Sequence, residues 1–291
     1  MEDTHVFRSV AIKAIFSIAA FASSVSALEF RITASGLDKD RHSYELELME
    51  LALSKADGDH TLTLVDPGNS NQTRLLAQLA AGSEEFDVIF SGVSKERYES
   101  LTIVPIPLQR GLLGHRILIS NEDSLPALQT VETFEDLKKI RIGSGTGWPD
   151  TEILESAGLN VSAAAYENLF TMTDKGRVQG YARGVAEPFA EVTKRSESHP
   201  NLRVDSSLMI VYPFDTFFFT GPEDQERADI ILQGLERAYE DGSFMAHFNS
   251  HPNIQSVFEQ AQIDNRLRFD IPNPLLPEEI SNLPDHLWHG R

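Results

Sequence analysis

The strongest constraint on the fold is a regular alternation of strand and helix patterns near the start of the chain. Residues 29–34 alternate apolar and polar side chains, which predicts a strand, and residues 44–56 place apolar side chains at helical spacing. The same order continues with a strand over 60–65, a helix over 73–81 and a strand over 86–90. This alternation is typical of a parallel β-sheet covered by helices, in which ligands bind beyond the carboxyl ends of the strands.

A second set of elements lies between two long apolar stretches that we expect to be extended. The first covers residues 101–120, where Pro105 and Pro107 exclude a helix interior, and the second covers 212–220. Between them the pattern again predicts strands and helices, including a strand over 140–144. Two α/β units joined by two extended crossings favour an α/β fold of two lobes, which can close around a ligand by hinge motion.

The two crossings also divide the chain into expected domains. The chain has 291 residues, a length that suggests about two domains. We predict a first, discontinuous lobe from residues 28–118 and 217–291, and a second lobe from residues 119–216. Residues 1–27 precede both lobes and combine a short basic region with an apolar run.

The first 27 residues predict a cleaved signal peptide. Arg8 and Lys13 form a basic region, residues 14–25 form an apolar run, and Val25-Ser26-Ala27 resembles a small-residue cleavage site. The apolar run is too short for a comfortable bilayer span. The alternatives are an uncleaved anchor and a buried N-terminal helix. We expect the mature chain to begin at Leu28 and to be periplasmic.

Composition narrows the classes of function. The chain has 25 Lys and Arg against 44 Asp and Glu, for a net charge of −19, which disfavours nucleic acid and anionic lipid as partners. It has no cysteine, which excludes disulfides, thiolate catalysis and thiolate metal sites. The sequence contains no Gly-x-Ser-x-Gly, Walker or His-Glu-x-x-His motif, and the i,i+4 pair His247 and His251 falls at a predicted helix end. We therefore expect no metal, no cofactor and no enzymatic activity.

Five local patterns together resemble one protein family. They are SGVSKER at 91–97, PLQRGLLGHRILI at 107–119, IRIGSGTGWPDTEI at 140–153, KGRVQGY at 175–181, and the apolar stretch at 212–219. In this order and spacing the chain resembles the periplasmic or extracellular solute-binding proteins of the polar amino-acid type, a family 3-like group with the type II periplasmic-binding-protein fold. The resemblance covers residues 29–291 and is specific for the fold more than for the ligand.

The resemblance implies that Arg97 binds a ligand carboxylate, since Ser94 to Arg97 matches the Thr-x-x-Arg pattern of the family. A guanidinium can hold a carboxylate through two parallel hydrogen bonds. Thr146 falls at the family's second-lobe contact, and a glycine-rich loop before a helix N-terminus favours an anion. The alternatives are that Arg97 is a surface residue paired with Glu96 or Glu99, and that the glycine-rich loop is an ordinary turn.

One departure from the family pattern concerns the ligand ammonium. The family carries an acidic residue for that group where this chain has Gly184, next to Arg183 and near Glu187. This leaves a dicarboxylate or another anion open as the ligand. Trp148 is a candidate for stacking on the ligand. The full predicted binding set is Ser35, Ser91, Gly92, Ser94, Arg97, Gly145, Thr146, Trp148, Arg183 and Glu187.

These patterns predict a monomeric periplasmic solute-binding protein that captures a small carboxylate-bearing ligand, an amino acid or a related anion, for transport. Its expected protein partner is an inner-membrane ABC permease or a sensor. Two alternatives remain open. One is a periplasmic lyase on the same fold with Glu187 as the base, and the other is a ligand-sensing partner of a membrane receptor.

Overall fold

The computed structural model describes residues 27–34, 39 and 41–289. The predicted signal peptide and the predicted ligand residue Ser35 lie outside the described residues, except that Ala27 is described. Among the residues that are described, no helix is long and apolar enough to cross a membrane.

The described part of the chain contains twelve strands and twelve α-helices. The strands are β1 Glu29–Thr33, β2 Thr61–Leu64, β3 Val88–Gly92, β4 Thr102–Ile103, β5 His115–Asn121, β6 Arg141–Gly145, β7 Asn160–Ala164, β8 Gly180–Gly184, β9 Leu202–Val204, β10 Leu208–Val211, β11 Thr216–Thr220 and β12 Leu267–Asp270. The helices are α1 Ser43–Lys55, α2 Gln72–Ala80, α3 Lys95–Ser100, α4 Leu125–Gln129, α5 Phe134–Leu137, α6 Pro149–Ser156, α7 Tyr166–Asp174, α8 Pro188–Lys194, α9 Gln225–Glu240, α10 Ser243–Ser250, α11 Pro252–Glu259 and α12 Glu278–Ser281.

The first sheet has five strands in the order β2-β1-β3-β11-β4. Strand β1 pairs in parallel with β2 and β3, whereas β11 runs antiparallel to β3 and β4. Helices α1 and α9 pack closely together, because Gly234 lies against the backbone of Ala52, and a β-carbon at residue 234 would lie only 1.9 Å from the Ala52 carbonyl oxygen. Apolar side chains such as Phe30, Ile32 and Leu235 fill the core.

The second sheet has seven strands, six of them in the order β12-β10-β5-β8-β6-β7, with β9 paired to β5. Strand β6 is parallel to β7 and β8, and β5 is antiparallel to β8, β9 and β10. The carboxyl ends of β6, β7 and β8 therefore meet at one edge of this sheet. That edge carries the glycine-rich loop after β6 and the segment around Arg183, Gly184 and Glu187, both of which the sequence analysis singled out.

The predicted alternation of strands and helices through residues 29–92 is confirmed. The later helices α6 to α10 also fall where the sequence predicts helices, over 150–156, 166–175, 188–194, 224–241 and 243–249. Strands β7, β9 and β12 and helices α3, α4 and α12 were not predicted. The expected extended stretch over 101–120 is interrupted by a short 3-10 turn at Leu112–Gly114.

The chain passes between the two sheets more often than the sequence suggests. Residues 104–114 lead from β4 to β5, and residues 212–215 lead back from β10 to β11. After α11 the chain enters the second sheet again as β12 and then returns, since the backbone N–H of Lys95 donates to the Leu275 carbonyl. Strand β12 thus pairs with β10, although it belongs to the segment 217–291 that the prediction assigns to the first lobe.

A buried carboxylate joins the first two crossings. Asp215 is fully buried and accepts hydrogen bonds from the backbone N–H groups of Gln109 at 3.2 Å and Thr216 at 2.6 Å. It also accepts from the N–H of Gly111. Burial raises the pKa of Asp215 to about 7. Because the carboxylate holds both crossings, their relative position is fixed near residues 109–111 and 215–216.

Candidate functional site

The carboxyl ends of the parallel strands in the two sheets face each other. The Arg97 Nη2 atom, on the first-sheet side, donates to the Gly147 carbonyl on the second-sheet side at 3.1 Å. A β-carbon at Gly147 would lie 2.3 Å from Thr73 Oγ1, and the positive φ of 76° also favours glycine there. The Arg41 guanidinium lies 4.1 Å from the centre of the Tyr166 ring. These contacts define a cleft between the two edges, the place where open α/β sheets bind ligands.

Local sequence explains why Arg97 points into this cleft. Strand β3 ends at Gly92, and the Ser94 side chain caps α3 by accepting the N–H of Arg97 at 3.3 Å. Glycine is required at residue 92, because a β-carbon there would lie 2.2 Å from the buried Phe214 ring. Arg97 therefore stands in the first turn after a buried strand, and its side chain is only 7% exposed.

Within the described part of the chain, every hydrogen-bond acceptor of the Arg97 guanidinium is neutral. Its Nη1 atom donates to Ser91 Oγ at 2.8 Å and to the Gly92 carbonyl at 2.7 Å. Its Nη2 atom donates to Gln72 Oε1 at 2.9 Å and to the Gly147 carbonyl. Predicted site residues Ser91, Gly92 and Arg97 are thus brought together, and Gln72 joins them.

The positive charge of Arg97 is not paired with any carboxylate of the described residues. No carboxylate among the described residues lies within 4.0 Å of its guanidinium, and neither Glu96 nor Glu99 pairs with it. Burial lowers the pKa of Arg97 to about 10. A buried cation of this kind favours an incoming anion, because an anion would restore the electrostatic stabilisation lost on leaving water.

The glycine-rich loop after β6 is shaped by an aromatic side chain. The Trp148 ring packs on Gly145 so closely that a β-carbon at 145 would lie 2.2 Å from the ring. The N–H of Thr146 donates to the Ala164 carbonyl at 2.9 Å and so continues the pairing with β7, while its side chain is exposed. The loop therefore offers the Thr146 hydroxyl to the cleft, but its N–H is already used.

The N-terminus of α6 already faces a carboxylate of the protein. Asp150 Oδ1, in the first turn, accepts from the Tyr212 hydroxyl at 2.5 Å and lies 3.3 Å from Arg116 Nη1. All three side chains are buried and come from different segments: α6, the second crossing and β5. Arg116 thus has a structural position, and this helix end is less open to an external anion than the sequence analysis expects.

Arg183 is held by two carboxylates. Its Nε atom donates to Glu191 Oε2 at 2.8 Å, and its Nη2 atom donates to Glu191 Oε1 at 2.7 Å and to Glu187 Oε1. The side chain is 1% exposed. Arg183 was predicted as a ligand contact, and the structure places its guanidinium in a buried ion pair beside the cleft.

Three aromatic rings surround the same guanidinium. Its carbon lies 5.0 Å from the centre of the Trp148 ring, 5.3 Å from that of Tyr181 and 5.4 Å from that of Tyr166. Such an arrangement stabilises a cation through the negative faces of the rings. The Trp148 side chain is therefore engaged with Arg183 and with Gly145.

The Glu187 carboxylate occupies the space beside Gly184. Its Oε2 atom accepts from the Gly184 N–H at 2.6 Å, and a β-carbon at residue 184 would lie 2.9 Å from that oxygen. Both carboxylate oxygens therefore accept hydrogen bonds from the protein, one from Gly184 and one from Arg183. Glu187 is near the cleft, as predicted, but it is not a free carboxylate.

Sequence analysis missed Glu45, a buried carboxylate on the first-sheet side. Its Oε1 atom accepts from Gln109 Nε2 at 2.8 Å. Burial raises the pKa of Glu45 to about 7, and the negative charge of Glu187 from the second-sheet side adds to the rise. Glu45 stands between Tyr44 and Leu46 in the first turn of a helix, where a glutamate is common, so no sequence pattern distinguishes it.

No group of three or more His, Asp or Glu side chains in the described ranges could hold a metal ion. The rings of His247 and His251 are 5.4 Å apart, but His251 Nδ1 accepts the N–H of Asn253 at 3.2 Å and caps α11. This pair therefore has a structural role at a helix junction.

No protein-family model matches the chain, and no curated protein matches its sequence. Solved structures do match its fold. An ancestral arginine-binding protein bound to arginine has 14% identity and a TM-score of 0.57, covering 76% of this chain and 96% of that one. An amino-acid ABC-transporter substrate-binding protein from Streptococcus pneumoniae, bound to L-arginine, has 15% identity and a TM-score of 0.57, covering 80% and 97%.

A third structure is an ancestral amino-acid-binding protein described as a precursor of cyclohexadienyl dehydratase. It has 12% identity and a TM-score of 0.55, covering 76% of this chain and 94% of that one. At such identities the similarity establishes the fold alone. The chain therefore has the two-lobed type II periplasmic-binding-protein fold, and the predicted fold class is confirmed.

Proposed function

We propose that this protein is a solute-binding protein that holds a small carboxylate-bearing ligand in the cleft between its two sheets. The observation that carries the proposal is Arg97, a buried guanidinium whose hydrogen-bond partners are all neutral and come from both sides of the cleft. A ligand carboxylate can take over those donors in a bidentate arrangement and supply the missing negative charge.

The structural neighbours support the same class of function. They include amino-acid-binding proteins and substrate-binding proteins of ABC transporters. We extend this role to the present chain as capture of a ligand for transport, with an inner-membrane ABC permease or a sensor as the partner. Export through the N-terminal signal, a periplasmic location and a monomeric state belong to the same proposal.

The proposal includes the division of the chain into two closing lobes. The expected lobes are residues 28–118 with 217–291, and residues 119–216. The position of β12 in the second sheet means that a short part of the C-terminal segment would move with the second lobe. The proposed ligand contacts are Ser91, Arg97 and Thr146, with Gly92, Ser94, Gly145, Trp148, Arg183 and Glu187 shaping the cleft around them and Ser35 as a further contact.

We propose binding without turnover. The lyase alternative needs Glu187 as a base, and a base must be able to take a proton from the substrate. Both Glu187 oxygens already accept hydrogen bonds, one from the Arg183 guanidinium and one from the Gly184 N–H. This arrangement suits a structural carboxylate better than a proton acceptor.

Isothermal titration calorimetry with an explicit set of compounds tests the proposal. The set comprises the L-amino acids, beginning with L-arginine, together with succinate and glutarate. For the compound that binds best, Arg97→Ala should weaken affinity at least about tenfold, because it removes a desolvated charged partner. Arg74→Ala is the matched control, since Arg74 lies nearby in α2 but is exposed, and it should leave affinity within about threefold.

Two results would count against the proposed function. One is an affinity of Arg97→Ala within about threefold of the wild-type value, which would make Arg97 a structural residue only. The other is steady conversion of the bound compound, followed by mass spectrometry, that is lost in Glu187→Gln. The second result would favour the lyase alternative.

A further inference from the structure

The carboxylates on the second-sheet side of the cleft are already paired with cations of the protein. Arg183 holds Glu187 and Glu191, and Arg116 lies 3.3 Å from Asp150. These ion pairs are buried or nearly so. An ammonium group entering here would therefore have to compete with a guanidinium that is already in place.

The aromatic surroundings that suit a cation are also occupied. Trp148, Tyr166 and Tyr181 all lie within 5.4 Å of the Arg183 guanidinium, measured to the ring centres. Aromatic rings around a desolvated cation are a common way to recognise ammonium ligands. In this protein the cation among these three rings is Arg183, a residue of the chain itself.

The first-sheet side adds a second positive charge to the cleft. The Arg41 guanidinium lies 4.1 Å from the centre of the same Tyr166 ring, and no carboxylate of the described residues lies within 4.0 Å of it. Among the described carboxylates beside the cleft, Glu45 is buried and has a neutral side-chain partner, Gln109. Burial raises the pKa of Glu45 to about 7, so at neutral pH it carries only part of a negative charge.

From this charge balance we infer that the ligand is a carboxylate that carries no ammonium group. The inference rests on the proposed role of Arg97 and deepens it. Among the described residues, the cleft presents a buried cation that lacks a counter-charge, Arg97, whereas the carboxylates are paired with arginines or, in the case of Glu45, hydrogen-bonded to a neutral amide. An ammonium group would be desolvated without a free counter-charge, and burying an unpaired charge is costly.

Compounds that differ only by the ammonium group test this inference on the wild-type protein. The pairs are glutarate with L-glutamate, succinate with L-aspartate, and 5-guanidinovalerate with L-arginine, each titrated by calorimetry at pH 7.5. In the pair that binds best, the member without the ammonium group should bind at least tenfold more tightly. An amino acid that binds as tightly as its partner, or more tightly, would overturn the inference.

A variant should reverse the preference. Arg183→Gln removes the cation that pairs with Glu187 and Glu191. The affinity for the amino acid of the best pair should therefore rise at least tenfold relative to the affinity for its partner compound. Arg195→Gln is the matched control, because Arg195 lies 5.3 Å from the centre of the same Tyr166 ring and pairs with exposed Glu167. The control should leave the ratio unchanged.

Circular dichroism shows whether the Arg183→Gln variant folds. If it does not fold, the affinities of the compound pairs for the wild-type protein decide the question. A folded Arg183→Gln with an unchanged ratio counts against the inference. The failure of the proposed function looks different. In that case Arg97→Ala leaves the affinity for every compound unchanged, whereas an amino acid that binds best and still depends on Arg97 overturns only the inference drawn here.

Discussion

At the residue scale, the three buried arginines beside the cleft are used in three ways. Arg116 is within 3.3 Å of a single carboxylate, Asp150, and joins β5 to α6. Arg183 holds two carboxylates inside a ring of aromatic side chains. Arg97 has neutral acceptors only, and burial lowers its pKa to about 10. Because an uncompensated buried charge is costly, Arg97 is the arginine whose position is hardest to explain by stability alone.

Glu45 gives a prediction about pH at the same scale. Burial raises its folded-state pKa from an ordinary value of 4.5 to about 7, so the folded protein holds a proton that the unfolded chain releases. Between these values the folded state binds more protons, and stability must therefore fall as pH rises from about 4.5 to about 7. Glu45→Gln should reduce the loss of unfolding free energy between pH 5 and pH 8 by about 1–3 kcal/mol.

Urea denaturation of the ligand-free protein at the two pH values measures this effect. Glu50→Gln is the control, because Glu50 lies on the exposed face of the same helix and should behave as the wild-type protein does. Equal pH dependence in Glu45→Gln and the wild-type protein would show that Glu45 does not titrate in this range.

The environment of a single residue could be predicted where neighbouring residues in the sequence determine it, and not where the packing of distant elements determines it. The position of Arg97 just beyond a buried strand was predictable because strand and arginine lie close together in sequence, whereas its ligand role came from the family resemblance, and its serine cap was not predicted. The partners of Arg183 were not, since whether Arg183 faces a ligand or Glu191 depends on the packing of α7 and α8 beside β8. Glu45 was missed for the same reason, because only the fold shows that its carboxylate is buried next to Gln109.

At the scale of elements, the contact between α1 and α9 gives a sharp prediction. Gly234→Ala would place a β-carbon 1.9 Å from the backbone oxygen of Ala52, and neither backbone can move without shifting a helix. We expect a loss of about 1–3 kcal/mol in unfolding free energy. Gly221→Ala is the control, because its β-carbon would lie 3.6 Å from the nearest backbone atom and should cost less than about 1 kcal/mol.

Both variants are compared with the wild-type protein by urea denaturation. A stability of Gly234→Ala within about 0.5 kcal/mol of that of the control would mean that the two helices can separate at little cost. The difference between the variants isolates the close approach of the helices, because both replace a glycine by an alanine.

The predicted and missed elements differ in how strongly they are encoded. Helices α2, α8 and α9 were predictable because their periodic apolar residues follow clear helix-start signals, such as the Asn71 cap of α2 and Pro188 at the first position of α8. Strand β7 lacks a clean alternation of apolar and polar residues, and β9 and β12 alternate over only three and four residues, which is too short for the pattern to predict a strand. Such strands exist because a neighbouring strand offers backbone partners, which a single-sequence pattern does not reveal.

At the scale of the whole molecule, the C-terminal segment joins both sheets. After β12 the chain returns to the first sheet, and Trp288 packs on Gly111 within the first crossing. The Arg110 guanidinium donates to the Trp288 carbonyl at 3.1 Å and to the His286 carbonyl at 2.9 Å. The irregular tail therefore stabilises the crossing that the sequence analysis identified as a hinge.

Removal of the Trp288 side chain should measure this contribution. Trp288 is 3% exposed, and Trp288→Ala should cost about 3–5 kcal/mol of unfolding free energy. Phe258→Ala is the control, since Phe258 also contacts His289 but is 46% exposed, and it should cost less than about 1 kcal/mol. Similar denaturation midpoints for the two variants would show that the tail is not coupled to the rest of the fold.

The hydrogen bond between Arg97 and the Gly147 carbonyl has a consequence for the affinity of the proposed site. The oxygen of the protein's own backbone takes a donor that the proposed ligand carboxylate would need. If Arg97 binds the ligand as proposed, binding requires the two edges to separate, so closure without ligand competes with binding. The apparent affinity then falls in proportion to the fraction of molecules that are open. Selection on the Gly147 loop could in this way tune the working concentration range of the protein without changing a single ligand contact.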